Sequence, residues 1–245
     1  MTNKNDKKIL RTLAIIDYAN IKAWLREKEL QIDLEMLKKA LSEIGINDVR
    51  FYYGKDEKNN GIQKFFDVIE KFGYVLITKP VQYFRVKLSE LISQRNNADM
   101  LNKLSKKLQL TFLTEIDNLK KENITLLQPK ANFDVEIAVD MLGQIDNYDN
   151  FILFSGDSDF VPLVKKLQEQ NKRVIAVSGR KMFSGLLRKQ SDFSASMELL
   201  TEILSELVFV KMQKPVDKRQ VFKKCTFSIA TLNRLSSLFY KTGDK

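Results

Sequence analysis

The chain has 245 residues with no histidine and one cysteine, and 41 Lys plus Arg against 31 Asp plus Glu leave a formal charge of +10. Without histidine there is no Ser-His-Asp triad, no Cys-His pair, no imidazole acid–base catalysis and no histidine metal ligand. One thiol excludes an internal disulfide and a Cys-rich zinc or iron–sulfur site, so catalysis is left to carboxylates, lysine, hydroxyls or a metal held by oxygen.

A hydrophobic fraction of 44% supports a packed core, and 29% charged residues suit a soluble protein. No uncharged apolar run reaches the roughly 18 residues of a membrane helix. The opening segment, Met1 to Leu13, holds no apolar stretch long enough for a signal peptide before charges resume, so the expectation is a cytoplasmic protein with no membrane partner.

Along the chain, Leu10 to Ile16 reads as a buried strand ending in Asp17, followed by a helix with Trp24 on its apolar face. Leu34, Leu37, Leu41 and Ile44 mark one face of a helix over 33–44, with Asp33 as its N-cap. Asp48 to Tyr53 is a β-branched and aromatic strand that stops at Gly54. Ile62, Phe65, Phe66 and Ile69 predict a helix over 61–72, and Tyr74 to Thr78 a strand ending before Lys79-Pro80.

Residues 81–126 break this rhythm. Leu101, Leu104, Leu108, Phe112, Ile116 and Leu119 recur every three or four positions with lysines between them, which predicts an amphipathic helical insertion with 84–94 as the first arm of a hairpin. Val135, Val139 and Leu142 then mark the apolar face of a helix over 134–145. Phe151 to Phe154 is a strand running into Ser155-Gly156-Asp157; Val161, Val164 and Leu167 give a helix over 158–170, and Arg173 to Val177 a fifth strand. Strand and helix alternating in this way predict an α/β fold with a doubly wound, mainly parallel sheet of five or six strands. The expected organisation is a domain over 11–205 interrupted by the 81–126 insertion, then a basic extension over 206–245 whose Ile229, Leu232, Leu235 and Leu238 form a short helical pattern.

The positive charge is uneven. Net charge is +3 over 1–11, zero over 12–79, +4 over 80–130, −3 over 131–205 and +6 over 206–245. A basic periphery around a neutral-to-acidic centre can hold a polyanion at its edges and a cation in the middle.

In an open parallel sheet, ligands bind at the carboxyl ends of the strands. The first strand ends in Asp17 with Asn20 close behind, and the fourth in Ser155-Gly156-Asp157-Ser158-Asp159, while Asp134 opens the helix leading to the fourth. Singly, each aspartate also reads as a helix cap. As a set they converge if the first and fourth strands are neighbours, and clustered carboxylates offset their repulsion by holding Mg²⁺ or Mn²⁺. Such a site supports metal-dependent phosphodiester hydrolysis without histidine.

At these residues the chain resembles the NYN domain, in its LabA-like branch, within the PIN-like nucleases. The resemblance rests on Ile15-Ile16-Asp17-Tyr18-Ala19-Asn20, on Phe133 to Asp140, on Leu153 to Leu163 with its Ser-Gly-Asp-Ser-Asp-Phe core, and on the segment from Lys172 to Phe193. It implies a Mg²⁺- or Mn²⁺-dependent ribonuclease with Asp17 and Asp157 as principal metal ligands. Asp134 and Asp159 would complete the acidic cluster, with Asp134 also a metal ligand, and Asn20 would orient the end of the first strand. Tyr18 departs from the small residue the family often carries there.

Lys130, Ser155 and Arg180 are the residues assigned to substrate, which would be single-stranded RNA, and the 81–126 insertion offers a surface for a second copy or a protein partner. Two other readings compete: a non-catalytic RNA-binding or partner-docking protein on the same fold, and a phosphotransferase, which the absence of a DxD motif after the first strand disfavours.

Overall fold

The computed structural model describes residues 10–87, 104–121, 125–204, 208–211 and 227–240. Within the sequence-based expectations, residues 88–94, Leu101 and Cys225 lie outside the described residues.

The central apolar runs become strands because both of their faces are covered. β1 (Thr12–Asp17) is buried from Thr12 to Ile16, and every residue of a later strand, Asn150–Phe154, is buried as well. In chain order the larger unit holds β1, α1 (Tyr18–Glu27), β2 (Leu30–Ile32), α2 (Leu34–Glu43), β3 (Asp48–Tyr52), α3 (Ile62–Lys71) and β4 (Val75–Ile77). Residues 80–131 form a second compact unit with β5 (Gln82–Lys87), α4 (Lys106–Lys121) and β6 (Thr125–Lys130). The larger unit resumes with α5 (Asp134–Gly143), β7 (Asn150–Phe154), a 3₁₀ turn over Ser158–Phe160, α6 (Val161–Glu169), β8 (Arg173–Ser178), α7 (Gly185–Gln190), β9 (Phe193–Ser196) and α8 (Met197–Leu204). β10 (Phe209–Lys211) and α9 (Ile229–Tyr240) follow.

The main sheet has six strands in the order β4-β3-β1-β7-β8-β9, and every pair is parallel. Counted along the chain within that sheet, the order is 3-2-1-4-5-6, the doubly wound arrangement whose ligand crevice opens where the order reverses. That reversal falls between β1 and β7, which run side by side with Ile15 opposite Leu153 and Ile16 opposite Phe154. One face of the sheet packs Ala14, Ile16, Phe51, Phe154 and Val177 against Trp24, Leu37, Phe66, Leu200 and Phe239. The alternate residues Leu13, Ile15, Phe151 and Leu153 of the central strands are fully buried too, so neither face of β1 and β7 meets water.

The structure departs from the sequence-based expectations in three places. Residues 84–87 are not the arm of a helical hairpin: they belong to β5, which pairs antiparallel with β6 from Gln82 opposite Lys130 to Lys87 opposite Thr125. Their alternating polar and aromatic or branched side chains suit a pleated ribbon. The described part of the basic extension does not stand apart from the core. Leu235, Leu238 and Phe239 of α9 are buried in it, and β10 pairs antiparallel with β2.

In the third place, the helix starting at Asp134 forms, but Val135, Val139 and Leu142 face solvent while Ile137 and Met141 are buried. The helix carries two apolar stripes, and periodicity alone does not say which one meets the sheet. Among the described residues no helix is long and apolar enough to cross a membrane.

Two glycines set close approaches near the sheet's carboxyl edge. At Gly179 a Cβ would lie 2.1 Å from Trp24 Cδ1, so the indole of α1 rests directly on the backbone that follows β8. The Trp24 Nε1–H donates to Glu198 at 3.1 Å, and Glu198 also accepts from the Arg180 backbone N–H, locking α1, the β8 exit and α8 together. Gly179→Ala is therefore expected to destabilise the fold by about 1–3 kcal/mol through overpacking. A urea unfolding midpoint equal to that of the wild type would contradict this packing.

Candidate metal centre

The carboxyl edge of the sheet gathers its acids by helix starts. Asp17 ends β1 and caps α1, Asp157 follows β7 and caps the 3₁₀ turn, and Asp134 is the first residue of α5. Helix N-termini carry exposed N–H groups and partial positive charge, which offset part of the negative charge gathered at these three positions.

Carboxylate oxygens of Asp134, Asp157 and Asp159 lie within 4.8 Å of one another, with Asp157 and Asp159 exposed and Asp134 half-buried. The Asp159 backbone N–H donates to Asp157 Oδ1 at 3.0 Å, which fixes their spacing. α5 is held in place from both sides. Lys79 bonds Glu136 in its first turn at 2.5 Å and lies 4.8 Å over the Phe133 ring, while Arg50 and Tyr52 of β3 both donate to Asp140. Asp140, an acidic position of the resembling segment, is thus engaged by β3 and stands outside the cluster.

Asp17 is also outside the 4.8 Å set, although repulsion from Asp134 and Asp157 reaches it. Its Oδ2 accepts from the Ser155 hydroxyl at 3.1 Å, and Ser155 Oγ accepts in turn from the Asp157 N–H at 3.4 Å. Burial pushes the Asp17 carboxyl up to about 6, against the lowering effect of the Ser155 and Asn20 hydrogen bonds. Ser155, expected at the substrate, is fully buried and serves as the link between Asp17 and Asp157. Its position between two strand-end acids leaves no face for a ligand.

Asn20 accepts from the buried Ser178 hydroxyl at 3.2 Å, tying the first turn of α1 to the end of β8. Beside it an open cavity of about 370 Å³ is lined by Asn20, Asp157, Ser158, Lys181 and Ser184. Gly156 makes its wall possible: a Cβ there would stand 2.3 Å from the Met182 carbonyl oxygen and 2.4 Å from Ser178 Oγ. Of the cations after β8, Lys181 lines this cavity and pairs with Glu27 at 2.7 Å. Arg180 is exposed in the same loop, held through its backbone by Glu198, and Lys130 is an exposed residue of the smaller unit at the end of β6. Ser178 and Ser184 were not singled out for the site from the sequence, whereas Lys181 was, among the cations that flank the end of the fifth strand. Ser178 and Ser184 act through contacts that only the folded chain reveals.

The donor set fits a hard divalent ion. Carboxylate oxygens bind Mg²⁺ and Mn²⁺, and opposite ligands of an octahedral Mg²⁺ stand about 4.2 Å apart, inside the span of the three aspartates. Asp134, Asp157 and Asp159 would hold the ion directly, with Asp17 adjoining.

Residues 101–200 match the family model described as the NYN domain. Over 110 residues the chain is 30% identical to the "Low amplitude and bright protein LabA" of Synechococcus elongatus, a match covering 45% of this chain and 58% of that protein. The chain therefore spans little more than half the length of this relative. The crystal structure of a protein of unknown function from Vibrio parahaemolyticus superposes with a TM-score of 0.53 at 18% identity, covering 80% of this chain and 96% of the other, which is a likeness of fold.

The position of Asp17 has a stability consequence. Its folded value of about 6 exceeds the ordinary 3.8, so its contribution to stability is fully present below about pH 3.8 and is lost as pH rises through 6. In metal-free buffer near pH 7.5, Asp17→Asn is expected to unfold at higher urea than wild type, by about 2 kcal/mol, with the advantage vanishing near pH 3.5. A less stable Asn variant at the higher pH would show that the ionised carboxylate is favoured where it sits.

Proposed function

We propose that this chain, which carries an NYN domain of the PIN-like superfamily, is a divalent-metal-dependent ribonuclease that hydrolyses phosphodiester bonds of single-stranded RNA in the cytoplasm. The observation that carries the reading is the convergence of Asp134, Asp157 and Asp159 at the point where the strand order reverses. The generally nuclease-related character of the NYN family supports it, and so does the lack of histidine, since a carboxylate site with Mg²⁺ or Mn²⁺ needs none.

A bound ion would supply Lewis-acid polarisation of the phosphoryl oxygens and acidification of water. The protein's own groups would do the rest. Asp134, Asp157 and Asp159 hold the ion; Asp17 adds charge beside them and keeps Asp157 in register through Ser155. Lys181, aimed by its pairing with Glu27, meets a phosphate in the cavity next to Asp157, and Arg180 supports the same strand from the neighbouring position. Asn20 and Ser178 hold the first turn of α1 still while the chain is positioned.

Incubating the purified chain with labelled single-stranded RNA and Mn²⁺ or Mg²⁺ tests the reading. Cleavage should stop on chelation and fall at least about 100-fold in Asp157→Asn, a loss of roughly 3 kcal/mol of transition-state stabilisation. RNA cleavage that survives either treatment unchanged, or that never occurs with either metal, contradicts it.

A further inference from the structure

A second concavity, of about 340 Å³, lies on the opposite side of α1 from the cavity beside Asp157. At 100° per residue, Tyr18, Lys22, Leu25 and Arg26 share one face of this helix, whereas Asn20 points to the other. β2 closes the cavity with Leu30, Gln31 and Ile32. Its volume is at the small end of ligand pockets, which run roughly from 300 to 1,000 Å³.

The lining divides by chemistry. Tyr18, Leu25, Leu30 and Ile32 supply an apolar floor, and Lys22 and Arg26 a cationic side. Tyr18 cannot swing freely, because its ring packs 4.7 Å from Phe51, 4.9 Å from Tyr53 and 5.4 Å from Phe65. Lys22 is also held: it donates to the Tyr53 hydroxyl and lies 4.9 Å from the centre of that ring. Arg26 is exposed, and among the described residues its side chain forms no ion pair. One helical turn, about 6 Å of rise, separates the two cations, on the scale that separates successive phosphates of an extended single strand.

A fixed aromatic ring, an apolar floor and two cations one turn apart match a nucleotide chain with its base inward and its phosphates along the helix. The groove begins at Tyr18, the residue directly after Asp17, so a strand lying in it leads to the carboxyl edge of the sheet.

From this juxtaposition we propose that the α1–β2 groove is a single-stranded RNA subsite, with a base against Tyr18, Leu25 and Ile32 and consecutive phosphates on Lys22 and Arg26. The assignment deepens the proposed ribonuclease function and rests on it for the identity of the polyanion. It gives the substrate a holding site apart from the reacting centre, where binding affinity is set without involving the acids.

The test is binding of a fluorescent single-stranded RNA oligomer to the full chain in EDTA, so that cleavage does not intervene, across a range of salt. The double variant Lys22→Met/Arg26→Met should weaken binding about tenfold or more and reduce the slope of log affinity against log salt by about 1.4, the value for two lost contacts to a single strand. Arg26→Glu, at an exposed position, should weaken binding on its own should the Lys22 change impair folding. Lys165→Glu on α6 serves as a charge control and should change affinity less than about twofold. A 4-thiouridine oligomer should photocrosslink to the peptide spanning 18–32.

Unchanged affinity and salt slope in both groove variants overturn the assignment, as does crosslinking confined to other peptides or a wild type that binds no RNA. Metal-dependent cleavage together with unaffected groove variants would defeat this subsite while leaving the ribonuclease reading intact. Groove-dependent binding by a chain that never cleaves would do the reverse.

Discussion

The mutual repulsion of Asp134, Asp157 and Asp159 is the constraint around which the carboxyl edge is built. Two unit charges 4 Å apart repel by about 1 kcal/mol in bulk water and about 4 kcal/mol at the effective dielectric near a protein surface. Three oxygens within 4.8 Å therefore need a scaffold that holds them together. Part of the scaffold is electrostatic, since α1, α5 and the 3₁₀ turn all begin at this edge and present N–H groups to it. The rest is mechanical: Ser155 ties Asp17 to Asp157, Lys79 and Arg50 fix α5 at two points, and Gly156 lets the loop after β8 close over the strand end. Rigidity of this kind keeps the acids ready for a cation and spares the folded chain from spreading them apart.

The sheet topology explains why the acids meet here. Strand order reverses between β1 and β7, so the connections leaving these two strands pass to opposite sides and open a crevice. α1 divides that region. Asn20 faces the cavity beside Asp157, while Tyr18 and Lys22 face the groove against β2. The first turn of a single helix thus separates a place suited to a metal and phosphate from one suited to a base and its flanking phosphates. Trp24, seated on Gly179, gives this dividing helix its fixed position.

Much of this was legible in the sequence where burial is complete. The runs at 10–16, 151–154 and 173–177 are mostly apolar, the pattern of strands covered on both faces, and together with the runs at 48–53 and 74–78, where Asp48 and Val75 are exposed, each became a strand of the main sheet. The sixth strand, Phe193–Ser196, escaped because serine and alanine at an edge leave no apolar run. The exposed stripe Val135, Val139 and Leu142 misled because helical spacing reports that residues share a face and not which way it points. The ribbon at 82–87 was hidden for a related reason: its pairing partner lies some forty residues away, where no local signal records it. At the site, aspartates at strand ends could be read directly. What needed the fold was the division of labour among them, with Asp159 joining the close set, Asp17 adjoining it, and Ser155 turned inward as the link.

Whether the aspartate cluster holds a divalent cation decides the chemistry open to this edge of the sheet. Crystals of the chain soaked in Mn²⁺ and measured at the manganese absorption edge address that point without any assumption about substrate. The expected result is an anomalous peak within coordination distance, roughly 2.0–2.3 Å, of carboxylate oxygens from Asp134, Asp157 and Asp159. A fully soaked crystal with ordered side chains and no peak among these three residues would contradict it.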